Sequence, residues 1–242
     1  MESLLLVAIL LIAAFTFSFA GFGFSMVAVP LLALLYPTSE AVAFQFFYAL
    51  CVVVYHAFRF RGQVVWKLFW PMVAGAVAFM PVGAYALQAV PDGLLKKSLA
   101  VFLLLAVLVN RTAWGKKASA VFRSSFAWGV VWGALSGLFQ GAYTTGGPPA
   151  VIYVRAAVPD PAAGKGILGM YFSLLYCFML PLFIFSGIFN QELLIKAAWC
   201  SPAVVAGTVA GALAFKRASV EGYRFFVDFL LLVTAVLLWA RA

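Results

Sequence analysis

Apolar runs separated by short polar stretches dominate the chain, at about residues 3–20, 24–36, 39–57, 65–89, 94–110, 124–141, 147–158, 164–189, 192–214 and 223–241. A helix needs roughly 20 apolar residues to cross the hydrocarbon core of a bilayer. The longer runs therefore predict transmembrane helices. Two runs, 24–36 and 147–158, are too short to span alone, and each follows a glycine-rich break, AGFGFS at 20–25 and QGAYTTGGPP at 140–149. A short apolar arm after such a break predicts a re-entrant hairpin or a broken helix. Either is tolerated only where protein or a water-filled cavity surrounds the backbone.

Composition sharpens this picture. Of the 242 residues, 66% are hydrophobic and 10% charged, too few charges to cover a water-exposed surface. Lipid must be the main solvent, and the whole chain reads as one membrane domain without a soluble appendage. Glu2 is the only charge ahead of the first apolar run, so a cleavable signal peptide is not expected and the first helix is retained. The net charge of +9 has a topological reading, because Lys and Arg gather in cytoplasmic loops. If each short arm returns to its own side, the loops at 58–67, 110–123, 155–165 and 216–224 share one face. That face then holds twelve of the 16 Lys and Arg, against a best split of nine to seven if each break is one long span. The rule favours hairpins, a multi-pass protein of the inner (plasma) membrane, and both termini extracytoplasmic. No basic run interleaved with aromatics points to nucleic acid.

The two halves resemble each other. Asp92-Gly93 and Glu221-Gly222 each precede a Leu-rich run, 129 residues apart. Pro71 and Gly75 have counterparts in Pro202 and Gly207, at offsets of 131 and 132. Gly21 and Pro30 match Gly141 and Pro149 at offsets near 120. Apolar helices resemble one another by chance, but here breaks, prolines and acidic-Gly turns recur in one order. The expected fold is an all-α integral membrane protein of two inverted-topology repeats. Each is a broken or re-entrant helical hairpin followed by three transmembrane helices, the arrangement of many secondary transporters. The repeats should cover 1–110 and 124–242, joined by a cytoplasmic connector at 111–123.

In such folds the substrate site lies where discontinuous helices meet. A break frees backbone N–H groups, and a helix N-terminus carries roughly half a positive charge. Glycine allows close approach, and proline near a helix start removes an N–H that is unpaired anyway. Gly21, Gly23 and Ser25 before Pro30, and Gly146-Gly147 before Pro148-Pro149, both follow this grammar. Ser18, Gln140, Tyr143, Thr144 and Thr145 add neutral hydrogen-bonding groups suited to an oxyanion, or else satisfy backbone freed by the breaks. Glu40 and Lys165 occupy matching places after the two hairpins and either face the site or cap a helix. Asp228, the deepest acid, is a candidate proton carrier or gating group. His56 is alone, and Cys51, Cys177 and Cys200 lack ligand spacing, so no metal and no cofactor is expected. Gly207 and Gly211 form a small-residue face read as helix packing.

The segments SFAGFGFSMVAVPLLALL and SGLFQGAYTTGGPPAVIYVR resemble the paired signatures of the sulfite exporter TauE/SafE family. TTGGPPAVIY is the more specific match, and the resemblance covers essentially the whole chain. The first segment has GFGFS where several consecutive glycines are usual. After the second hairpin Lys165 is the nearest cation where an arginine is common. The resemblance implies a secondary transporter exporting sulfite or a small organosulfonate such as sulfoacetate, with a small anion and the lipid bilayer as partners. An anion channel, or a carrier of a different small anion, is the alternative, and a homodimer stays open. An intramembrane enzyme would need a nucleophile and base, or metal ligands, at membrane depth, and the chain offers no such pairing.

Overall fold

The computed structural model describes residues 2–20, 23–111, 125–158, 160–189, 191–215 and 220–241, and every regular element among them is helical. The helices are α1 (Glu2–Ala20), α2 (Phe24–Leu32), α3 (Thr38–Phe60), α4 (Trp66–Ala89), α5 (Asp92–Arg111), α6 (Phe126–Tyr143), α7 (Gly147–Ala157), α8 (Pro161–Phe185), α9 (Gln191–Trp199), α10 (Ser201–Phe215) and α11 (Val220–Ala240). A single 3-10 turn, Arg61–Gln63, links α3 and α4. Three helical stretches among the described residues are long and apolar enough to cross a membrane: Thr38–Tyr55, Trp66–Ala89 and Gly166–Phe185. Shorter apolar helices cover Leu4–Ser18, Ser201–Gly211 and Asp228–Ala240.

Two compact units form. One holds residues 1–46, 90–107 and 188–242, the other 47–89 and 108–187. Each unit takes elements from both halves of the sequence. The connector expected at 111–123 lies, beyond Arg111, outside the described residues.

In the second unit α4 and α6 lie side by side through most of their length, and glycine permits it. Gly129, Gly133, Gly137 and Gly141 recur every fourth residue on α6, which aligns them on one face. A Cβ on Gly133, Gly137 or Gly141 would run into the Met72, Ala76 or Met80 carbonyl of α4. From the other side, Gly75 and Gly83 of α4 meet the Val130 and Leu138 carbonyls. In the first unit α10 meets α1 the same way, Gly207 and Gly211 abutting the Leu11 and Phe15 carbonyls. With lipid as apolar as leucine, close backbone packing takes over the role that hydrophobic burial has in water.

The run at 192–214, expected as one span, is two helices. Pro202 has no N–H to donate and its ring clashes with the carbonyl four residues back. The chain therefore turns at Cys200, whose N–H reaches only the Ala197 carbonyl at 2.8 Å, and α10 restarts at Ser201.

Large apolar side chains stand exposed on every helix except the two short arms, Phe185 at 89% and Trp199 at 81% among them. Such a surface suits lipid. By contrast, eight of the nine residues of α2 are buried, and on α7 Pro149, Ala150, Val151, Tyr153 and Val154 are. The short arms are thus wrapped in protein, as backbone with free ends in a bilayer requires.

Candidate functional site

The second break is the better defined. α6 ends at Tyr143, and Thr144 turns the chain with φ 54°, the only non-glycine residue with positive φ among those described. A β-branched residue there is strained. The turn is held by the Thr144 N–H on the Gln140 carbonyl at 2.8 Å and the Thr145 N–H on the Phe139 carbonyl at 3.3 Å. The Thr144 hydroxyl donates to the Tyr143 carbonyl at 2.6 Å.

Two side chains one turn apart on α6 then grip Gly146. The Ser136 hydroxyl donates to its carbonyl at 2.7 Å, and Gln140 Oε1 accepts its N–H at 3.1 Å. Further along α7, the Tyr153 hydroxyl donates to the Ser125 carbonyl, near the start of α6, at 3.4 Å. These contacts run in opposite order along the two helices, so α7 doubles back on α6 as a hairpin.

The helix start at α7 departs from a simple anion cradle. Pro148 and Pro149 have no N–H, and that of Gly146 is taken by Gln140. Gln140 Nε2 and Thr145 Oγ1 are buried without a hydrogen-bond partner, their residues 1% and 3% exposed. Gly147 faces open space, a Cβ there meeting nothing within 4 Å. Tyr143 is buried as well.

At the first break, Gly23 caps α2 with φ 93°, a conformation that suits glycine. The Ser25 hydroxyl donates to Gln45 Oε1 of α3 at 2.9 Å, and both residues are buried. Gly21 lies outside the described residues.

Of the ionisable candidates, Glu40 is exposed in the first turn of α3, where an acid complements the helix dipole. Asp228 is buried in α11, in the first unit. Lys165 lies within α8, its side chain outside the described residues. Among the described residues, no group of three His, Cys, Asp or Glu could hold a metal ion.

Ser136, Gln45 and Tyr171 were not singled out by the sequence. Tyr171 of α8 is fully buried. Gln45 and Tyr171 lie in long apolar runs away from the glycine-rich breaks, so the pattern of breaks gave no signal for either.

Among curated proteins and among solved structures, nothing matches the chain. The family described as sulfite exporter TauE/SafE matches residues 6–238, taking in both breaks and all but the ends of the chain, and the protein belongs to that family.

Proposed function

We propose that the protein is a secondary carrier exporting sulfite or a small organosulfonate such as sulfoacetate, by alternating access that involves the two glycine-rich breaks. The family carries the coarser statement, membrane transport of sulfur anions. The observation that carries the site is the start of α7, where buried, unpaired donors of Gln140 and Thr145 adjoin a glycine facing open space. An unpaired buried donor costs free energy, and an oxyanion is the ligand that would satisfy it. The inside-negative potential favours anion exit by about 2.3 kcal/mol per charge per 100 mV, so export needs no coupling ion.

An inverted repeat fits the way alternating access works, and helix pairing supports one. The contact of Gly75 on α4 with Val130 on α6 maps onto that of Gly207 on α10 with Leu11 on α1. The shifts are 132 residues forward and 119 back, close to the motif offsets read from the sequence. The halves exchange roles in the two pairs, as an internal two-fold relation demands.

The test is counterflow of labelled sulfite, sulfoacetate and sulfate in proteoliposomes, with Thr145→Val and Gly147→Leu variants. Saturable flux of a sulfur anion, lost in both variants, is expected. Folded, inserted protein that moves none of these anions would remove the sulfur assignment.

A further inference from the structure

The connection from α3 to α4 carries a polar and aromatic patch outside both glycine-rich breaks. Residues 41–91 contain no Asp or Glu, and their charges are Arg59, Arg61 and Lys67. Arg61 and Lys67 are exposed, and neither pairs with an acid among the described residues. Arg61 is not on a free loop, because the Arg61–Gln63 turn packs against α8.

Next to Lys67 in the chain is a fixed aromatic platform. Trp66 and Trp70, one turn apart on α4, stack with ring centroids 6.1 Å apart and planes at 26°. Phe69 is 2% exposed and meets both indoles edge-on, at 5.2 and 5.1 Å. The buried ring braces the pair, while Trp66 and Trp70 stay 50% and 57% exposed. Tyr55 and Phe58, near the end of α3, are exposed as well.

Span length sets the depth of this patch. Trp66–Ala89 has 24 residues, about 36 Å at 1.5 Å per residue, against a hydrocarbon core of roughly 30 Å. Its first turn therefore stands at the edge of the core, the level that indoles favour. Exposed indoles by themselves suit a choline headgroup too, through cation–π attraction. Cations on either side of Trp66 in the chain repel choline's own charge and attract phosphate. The combination favours a headgroup of net negative charge.

We propose that the α3–α4 connection is a docking site for an anionic phospholipid, with Arg61 and Lys67 on its phosphate and the Trp66–Trp70 pair against its glycerol and upper acyl chain. The site stands whether or not the second break binds substrate.

The test follows thermal unfolding of the purified full-length protein in detergent. Phosphatidylglycerol, phosphatidylcholine with the same acyl chains, or inorganic phosphate is titrated in. Phosphatidylglycerol should stabilise wild type well beyond phosphatidylcholine, and phosphate should not. In Arg61→Gln/Lys67→Gln, apparent affinity for phosphatidylglycerol should fall about fivefold for each cation removed. Lys97→Gln/Lys196→Gln removes the same charge elsewhere and should keep wild-type affinity. Trp66→Leu/Trp70→Leu should bind phosphatidylglycerol more weakly with both cations in place. Equal stabilisation by the two lipids overturns the proposal. So does equal loss in the two charge variants, which reports net charge alone. Stabilisation by phosphate to the same extent overturns it as well, because the site then takes a free anion. Wild-type binding by the tryptophan variant removes the aromatic pair from the site, with the same consequence.

Discussion

Gly146 and Gly147 are adjacent and identical in sequence, yet their surroundings differ. A Cβ on Gly146 would run into the Ser136 carbonyl and the Gln140 Cβ, whereas one on Gly147 would enter open space. Gly146→Ala should therefore destabilise the protein by about 1–3 kcal/mol, the usual cost of overpacking. Gly147→Ala should stay within about 0.5 kcal/mol. Thermal unfolding of the two variants checks this, and equal losses would count against the packing described. The contrast also gives Gly147→Leu its value as a probe, since it fills the open space with little strain on the hairpin. Sequence identified both glycines but not the difference, which depends on what folds against each.

Between elements, polar contacts act at helix ends and glycines along helix faces. Asp92, at the N-terminus of α5 and outside its apolar run, reaches over to cap α3. Its Oδ1 accepts the Thr38 N–H and the Thr38 hydroxyl, each at 2.7 Å, and Oδ2 pairs with Lys96 at 2.7 Å. Burial opposes the carboxylate's charge, but Lys96 and the Thr38 donors outweigh it and hold the pKa below the ordinary aspartate value. A group depressed in the folded state contributes stability that is fully present above its unfolded pKa, about 4. That contribution is lost as pH falls through the lower folded value. Thermal stability of the wild type should thus decline below about pH 4 by more than that of Asp92→Ala. The difference will be modest, because the carboxylate is 40% exposed and water screens it. Equal acid sensitivity in the two proteins would show that the cap does not couple to folding. The sequence marked Asp92-Gly93 as a repeated turn, and only the fold reveals that its acid serves another helix. The glycine face of α6 was readable as a four-residue period, but its partner was not.

For the whole molecule, topology is the open quantity with the sharpest test. The charge distribution predicts Arg61 inside and Lys196 outside, and both residues are exposed. In a background without Cys51, Cys177 and Cys200, a membrane-impermeant maleimide applied to intact cells should label Lys196→Cys and spare Arg61→Cys. The reverse pattern would invert the orientation, and labelling of both would remove the hairpin topology that the charge count favours. Composition and hydropathy alone established a helical membrane protein, and the breaks with their flanking motifs established its family. These are legible because lipid solvation and chain reversal act through residue type and short-range spacing. What the linear pattern left undecided was whether the second short arm turns back on its own helix, which helix each glycine face packs against, and which buried donors go unpaired. Those depend on contacts between residues far apart in sequence, and a chain that is apolar nearly throughout offers many helix pairings of similar hydrophobicity. Close backbone approach and the pairing of buried polar groups choose among them, and neither exists until the helices have come together.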